Sequence, residues 1–258
     1  MPQYFDIHCH LDDEKYELDR QEVFDRLKES DTWAITIGTD NKSSKDAVTL
    51  AERNDGVFAV IGIHPRYEQV FEENYFYELA LSKKVVGVGE CGLDYFKLEE
   101  NIFDAEKRRQ LSVFEAQIAF AVDRGLPLML HCRDAYSDVL DVLESKAKEY
   151  GEKLKGNAHF FAGNLSIAKR LWTLGFSTSF TGVITFARDY DEIIKMAPKG
   201  LLMSETDAPY VAPVPYRGKR NEPVYVCEVA HKIAEIRGED KGEVKRYLVE
   251  NALKAFSL

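Results

Sequence analysis

The chain has 258 residues, 45% apolar and 30% charged, a balance that supports a sizeable core and excludes a disordered or fibrous polypeptide. The net charge of −10 excludes a broad basic surface gripping duplex DNA through many phosphates. It does not exclude a nucleic-acid substrate drawn to a small site, because bound cations would add positive charge that the formal count omits. The four cysteines, Cys9, Cys91, Cys132 and Cys227, have no CxxC spacing, the N-terminal MPQYFDIHCH lacks a leader pattern, and no stretch approaches the ~18 apolar residues of a membrane span. The expectation is a cytoplasmic protein without membrane association, a monomer or small oligomer, folded as a single domain over residues 1–258.

The first apolar, β-branched run is Tyr4–Leu11. Side chains alternate faces along a strand, so Asp6, His8 and His10 point one way and Ile7 and Cys9 the other, and the two histidines can chelate one cation. A lone histidine in such a run is usually packed in the core; an HxH pair with an aspartate two residues earlier reverses that reading. Runs at Trp33–Thr39 and Val57–His64 follow, the latter ending on His64, either a donor to a substrate phosphate or a loop histidine braced by Pro65. The fourth run, Val85–Leu93, carries Glu90 and leads into Asp94 and Tyr95. Its Gly87, Gly89 and Gly92 make no nucleotide-binding loop, since no helix opens directly after them.

A helix is predicted over Asp104–Arg124, with Leu111, Phe114, Ile118, Ala121 and Val122 on one face and Lys107, Arg108 and Arg109 on the exposed face at its start. The fifth run, Leu126–His131, ends on His131 and is followed by Cys132 and Arg133; the sixth, Gly156–Phe161, holds His159. Asn164 caps a helix through Leu174 that Gly175 stops, and Gly125 and Gly151 end two others. The last runs are Phe176–Ile184 and Leu201–Thr206, the latter leading into Asp207. A proline-rich loop, Ala208–Pro223, then precedes helices at Pro223–Arg237, which contains a structural or surface His231, and Gly242–Phe256. Eight alternating strand and helix units imply a parallel sheet flanked by helices, and that number favours a closed (β/α)8 TIM-type barrel over an open, doubly wound sheet.

Barrel enzymes place their chemistry at the carboxyl ends of the strands, where His8, His10, Glu90, His131, His159 and Asp207 all fall. Any one of the carboxylates alone would read equally well as a helix cap or a salt bridge. Together these imidazoles and carboxylates form a donor set for two divalent cations: His8, His10 and Asp207 for one, His131 and His159 for the other, with Glu90 spanning both. Such a pair activates a water and steadies both oxygens of a phosphoryl transfer. Asp207 is the candidate to orient or deprotonate that water, with Glu90 as its catalytic partner and Asp6 behind the site as an orienter. Histidine-rich donors favour Zn, Mn, Fe or Co over Mg, although availability can make Mg the working ion. Arg133 and Tyr95 are placed to pair with a phosphate and stack on a base, and a rim salt bridge between Asp94 and Arg133 is the equal alternative. The side chains of Cys9, Cys91 and Cys132 should turn away from the cations into packing, and Arg217, Lys219 and Arg220 form a basic cluster beside the Asp207 loop.

Along the chain, FDIHCHLD, GIHPRY, VGECGLDY, LMLHCRDA, AHFFAG, SETDAPY and RGKRNEP occur in the order and spacing of one family. In these motifs the sequence resembles the TatD family of metal-dependent deoxyribonucleases, within the amidohydrolase-like metal-dependent hydrolase superfamily. The resemblance implies a β/α barrel, the same six residues as metal ligands, and a nuclease acting on DNA ends, with single-stranded DNA as the expected substrate. Cys132 stands where many relatives have serine, and Phe161 falls in an ordinarily variable stretch. Glu90 rather than lysine sets the chain apart from relatives bridged by a carboxylated lysine. The same cations would also suit an ester or amide hydrolase, for example one deacylating a misacylated tRNA, and a non-catalytic metal-binding barrel is a third possibility.

Overall fold

A computed structural model describes residues 1–258. The strands are β1 (Tyr4–Cys9), β2 (Thr32–Ile37), β3 (Val57–Ile61), β4 (Val85–Asp94), β5 (Leu128–Arg133), β6 (Gly156–Ala158), β7 (Ser177–Phe180) and β8 (Leu202–Ser204). All pair in parallel, in chain order, in one eight-stranded sheet. The helices are α1 (Arg20–Glu29), α2 (Asn41–Arg53), α3 (Glu73–Leu79), α4 (Phe103–Arg124), α5 (Tyr136–Tyr150), α6 (Leu165–Thr173), α7 (Asp191–Met196), α8 (Val226–Arg237) and α9 (Lys241–Ala255). The sheet curls until β8 meets β1: Asp207 donates its N–H to the His8 carbonyl at 2.9 Å and His10 donates to the Ala208 carbonyl at 2.7 Å, with a parallel bridge between Cys9 and Ala208. This is the (β/α)8 TIM barrel, and its seam is stitched by backbone belonging to candidate site residues.

Each apolar run becomes a strand, but several strands stop early. β3 ends at Ile61 and β6 at Ala158, so His64 and His159 sit in the loops just beyond, where the chain leaves the ladder to form the rim. Residues 182–184, expected in the seventh strand, belong instead to a 3-10 turn over Gly182–Thr185. The β1–β2 ladder shifts register between Asp6 and Cys9, so simple alternation does not run through the HxH segment. Apolar burial falls into a 52-residue cluster shared by sheet and helices, and an 11-residue cluster in which strand residues such as Ile7, Val60 and Met129 pack with Val249 and Ala252 of α9 and with Phe256 just after it. Asn164 caps α6 as expected, its side chain accepting from the Ile167 N–H at 3.0 Å.

The long helix α4 does more than cover the sheet. Its buried face holds Gln110 and Gln117, seven residues and so two turns apart, and each clamps the backbone of a rim residue. Gln117 accepts from Ile63 N–H at 2.8 Å and donates to the Ile63 carbonyl at 3.0 Å, fixing the residue before His64. Gln110 makes the same pair with Asp94, at 2.8 and 3.0 Å. Arg109, expected on the exposed face, instead donates to the carbonyls of Pro65 at 2.6 Å and Tyr67 at 2.8 Å, pinning the loop after His64. Glycine is required at Gly92, whose φ is +137° and where a Cβ would collide with the His131 carbonyl oxygen.

Gly92→Ala should therefore lower unfolding free energy by roughly 2–4 kcal/mol, whereas Gly125→Ala, at a left-handed helix end in open space, should cost about 1 kcal/mol. Urea denaturation of both variants checks this, and equal losses would contradict it. Gln117→Leu leaves a buried N–H and C=O of Ile63 unpaired, at about 1–3 kcal/mol each, and should destabilise the protein measurably in the same assay.

Candidate metal centre

Six side chains from well-separated segments meet at the carboxyl end of the barrel. Glu90 Oε1 lies 2.7 Å from His131 Nδ1 and 2.8 Å from His159 Nε2, while its Oε2 is 3.6 Å from His8 Nε2. Asp207 Oδ1 is 3.4 Å from His10 Nε2 and 3.7 Å from His8 Nε2. The His8 and His159 rings stack at 3.8 Å. Two triads result, His8–His10–Asp207 and Glu90–His131–His159, the donor atoms within each lying no more than 4.8 Å apart. Glu90 directs one oxygen towards each triad.

Backbone and buried polar contacts set this geometry. Asp6 is fully buried and turns to Thr206, accepting from its N–H at 2.8 Å and from its hydroxyl, so it braces the residue before Asp207 rather than an imidazole. Asp207 has φ +55°, a left-handed conformation costly for a non-glycine residue and characteristic of functional loops. Asn221, in the RGKRNEP motif, donates to the carbonyls of Thr206 at 3.0 Å and Tyr210 at 2.6 Å and so straps the same loop. The basic cluster of that motif does not converge on the site: Arg220 is bound to Asp19 and Glu222, and the Arg217 guanidinium lies 3.7 Å over the Phe186 ring.

The cluster opens into a cavity of about 640 Å³. Asp12, Asp13, Asp40, Glu90 and Asp207 line it, with Arg133 as the only Lys or Arg. Glu90 is held well below the usual carboxylate range: burial opposes ionisation, but His159, His64 and His131 outweigh it. Burial drives His8 well below the usual imidazole range, with His159 adding to the effect. Burial would depress His10 too, yet its bond to Asp207 and the charges of Asp207 and Glu90 lift it to about 9. His131 and His159 are likewise raised against burial by their carboxylate neighbours. The carboxylates thus favour protonated imidazoles around them, and a divalent cation held by the same residues would supply the opposing charge instead. Both nitrogens of buried His8 and Nδ1 of His159 have no hydrogen-bond partner. Orphaned imidazoles, clustered carboxylates and one arginine fit a cation site.

His64 also belongs to the cluster, its Nε2 3.6 Å from Glu90 Oε1 and its ring 4.3 Å from that of His131. Arg133 borders the cavity with its guanidinium 3.3 Å over the Phe96 ring. Tyr95 is not brought into the cavity: its hydroxyl donates to Asp138 at 2.8 Å and its ring packs edge-on against Phe103. Asp94 meets His131 Nε2 at 3.0 Å and makes no ion pair with Arg133. Cys9 and Cys91 are buried, but Cys132 borders the cavity as well as packing on the core, so it does not turn wholly away. His231 lies on α8, far along the chain from the site, bonded to Tyr4.

Glu205 went unnoticed in the sequence. Fully buried, it accepts from Phe160 N–H at 2.6 Å and from the Ser179 hydroxyl at 2.7 Å, with Oε1 3.5 Å from His159 Nδ1. The available signal was a second carboxylate two residues before Asp207 in SETDAPY, inside the expected run Leu201–Thr206.

The sequence profile described as "TatD related DNase" matches residues 5–257. An uncharacterized metal-dependent hydrolase of Bacillus subtilis, YabD, is 37% identical over 98% of this chain and 99% of its own length. A Pectobacterium carotovorum protein named 3'-5' ssDNA/RNA exonuclease TatD is 32% identical over 98% of this chain and 99% of its own. Among solved structures, the TatD homologue YjjV of Escherichia coli superposes with a TM-score of 0.87 at 25% identity, covering 99% of this chain and 98% of that one. Barrel, donor set and relatives agree, and the chain belongs to the TatD-related DNase family of metal-dependent hydrolases.

Proposed function

We propose that this protein is a divalent-metal-dependent deoxyribonuclease that hydrolyses phosphodiester bonds at the ends of single-stranded DNA. In this reading His8, His10, Glu90, His131, His159 and Asp207 hold two cations, with Zn, Mn or Mg as candidates. The observation that carries it is the shared carboxylate: Glu90 presents one oxygen to each triad, as a bridging ligand does. When bound, the cations would activate a water and neutralise charge on the phosphoryl oxygens. The name of the Pectobacterium relative supports a nucleic-acid substrate. The four cysteines are unpaired, which suits work in a reducing cytoplasm.

The chain's own residues supply binding and orientation. His64 Nδ1 accepts from Arg66 N–H at 3.1 Å, so in the neutral ring the proton sits on Nε2, facing Glu90 and the cavity, where it can donate to a phosphate oxygen. Burial pushes His64 down to about 4, which keeps the ring neutral at physiological pH. Asp207 keeps Oδ1 towards the two histidines and is the group placed to receive a proton from the attacking water. Acidic side chains at Asp12, Asp13 and Asp40 repel a phosphate backbone around the mouth, confining phosphate engagement to the cation cluster and Arg133. Tyr67 and Tyr210, 43% and 44% exposed, line the same cavity and offer faces for stacking an unpaired base.

With end-labelled single-stranded DNA and Mn²⁺ or Mg²⁺, stepwise shortening is expected, abolished by chelation and restored by added metal. His131→Ala and Asp207→Asn should reduce the rate at least ~100-fold. Full activity in either variant would refute the proposed centre, and internal cleavage would refute end-directed action. His64→Gln should lower the rate roughly 10–100-fold with metal content unchanged. Loss of bound metal in that variant would instead make His64 a ligand.

A further inference from the structure

The two histidines that meet Glu90 Oε1 do so through different nitrogens, His131 by Nδ1 and His159 by Nε2. Behind each ring lies a buried carboxylate. Asp94 Oδ2 is 3.0 Å from His131 Nε2, and Glu205 Oε1 is 3.5 Å from His159 Nδ1. Neither carboxylate has a Lys or Arg partner; the imidazole is its only ion-pair contact. Each is locked by other bonds: Asp94 accepts from Phe96 N–H at 3.0 Å and its backbone is clamped by Gln110, while Glu205 accepts from Phe160 N–H and the Ser179 hydroxyl. The other triad has no such backing. His10 Nδ1 faces the Ile37 carbonyl at 3.3 Å, and His8 Nδ1 has no partner.

We propose that Asp94 and Glu205 are positioning residues that fix the opposite tautomers of His131 and His159, turning Nδ1 of one and Nε2 of the other towards Glu90, and so set the affinity of that one cation position. A carboxylate behind the ring, hydrogen-bonded to His131 and at ion-pair distance from His159, favours the proton on the rear nitrogen and makes the free nitrogen a stronger donor. Because only this triad is backed by carboxylates, the effect is confined to one of the two positions. The inference rests on the two-cation reading above.

The test is calorimetric titration of the metal-stripped full chain with Mn²⁺, for wild type, Asp94→Asn and Glu205→Gln. Wild type should bind two ions; in each variant the affinity for one should fall about 10–100-fold while the other holds. Crystals of the variants at limiting Mn²⁺ should show an anomalous peak beside His8, His10 and Asp207 and none beside His131 and His159. Ser179→Ala keeps the Glu205 carboxylate but removes one of its supports, and should give a smaller loss at the same position if either direct variant fails to fold. Wild-type affinities at both positions in folded Asp94→Asn and Glu205→Gln, or in Ser179→Ala where those do not fold, would overturn the proposal, as would equal weakening of both positions. Failure of wild type to bind any Mn²⁺ would instead overturn the metal-centre reading itself.

Discussion

The Glu90 carboxylate is the constraint on which the rest of the molecule depends. It is buried on β4 with four imidazoles, those of His8, His64, His131 and His159, within 3.6 Å, each from a different strand or the loop just after it. A carboxylate so enclosed is costly unless opposing charge is supplied on the spot. Histidine supplies it conditionally, by holding a proton; once that proton is released to solvent, the neutral ring could ligate a cation that would carry the charge. The site is therefore a liability to the fold that a bound cation would relieve under the proposed reading, and the surrounding framework holds its side chains together.

That framework consists of buried polar contacts to backbone. Gln110 and Gln117 fasten Asp94 and Ile63 to one helix face, and Asp6 and Asn221 hold Thr206 from two sides. The seam between β1 and β8 closes through the backbone of His8, Asp207, Ala208 and His10. Closing the barrel and assembling the His8–His10–Asp207 triad are consequently one structural event. Three of these clamps, Gln110, Gln117 and Asn221, are amides and add no charge beside the cluster.

Much of this was legible in the chain. Apolar runs separated by helical periodicity predicted eight strands, and a single strong donor residue near each of several strand ends picked out His8, His10, Glu90, His131, His159 and Asp207, which the structure brings together. What stayed hidden depended on three-dimensional pairing. Gln110 and Gln117 look like ordinary polar positions on an amphipathic helix, and only the fold shows that they face backbone. Arg109 sits in a basic run that reads as solvated. Tyr95 follows a site-bearing strand yet turns to Asp138, because a position just past a strand end does not determine which way a side chain leaves the ladder. Asp6 turns to Thr206, a partner 200 residues away that alternation along β1 cannot anticipate.

The account stands or falls on two cations sharing Glu90, and the most direct measurement is anomalous diffraction at the Mn edge from wild-type crystals grown with Mn²⁺. Two peaks about 3.5–4 Å apart, one contacting His8, His10 and Asp207, the other His131 and His159, with Glu90 touching both, are predicted. A single peak, or ions that leave Glu90 free, would contradict it.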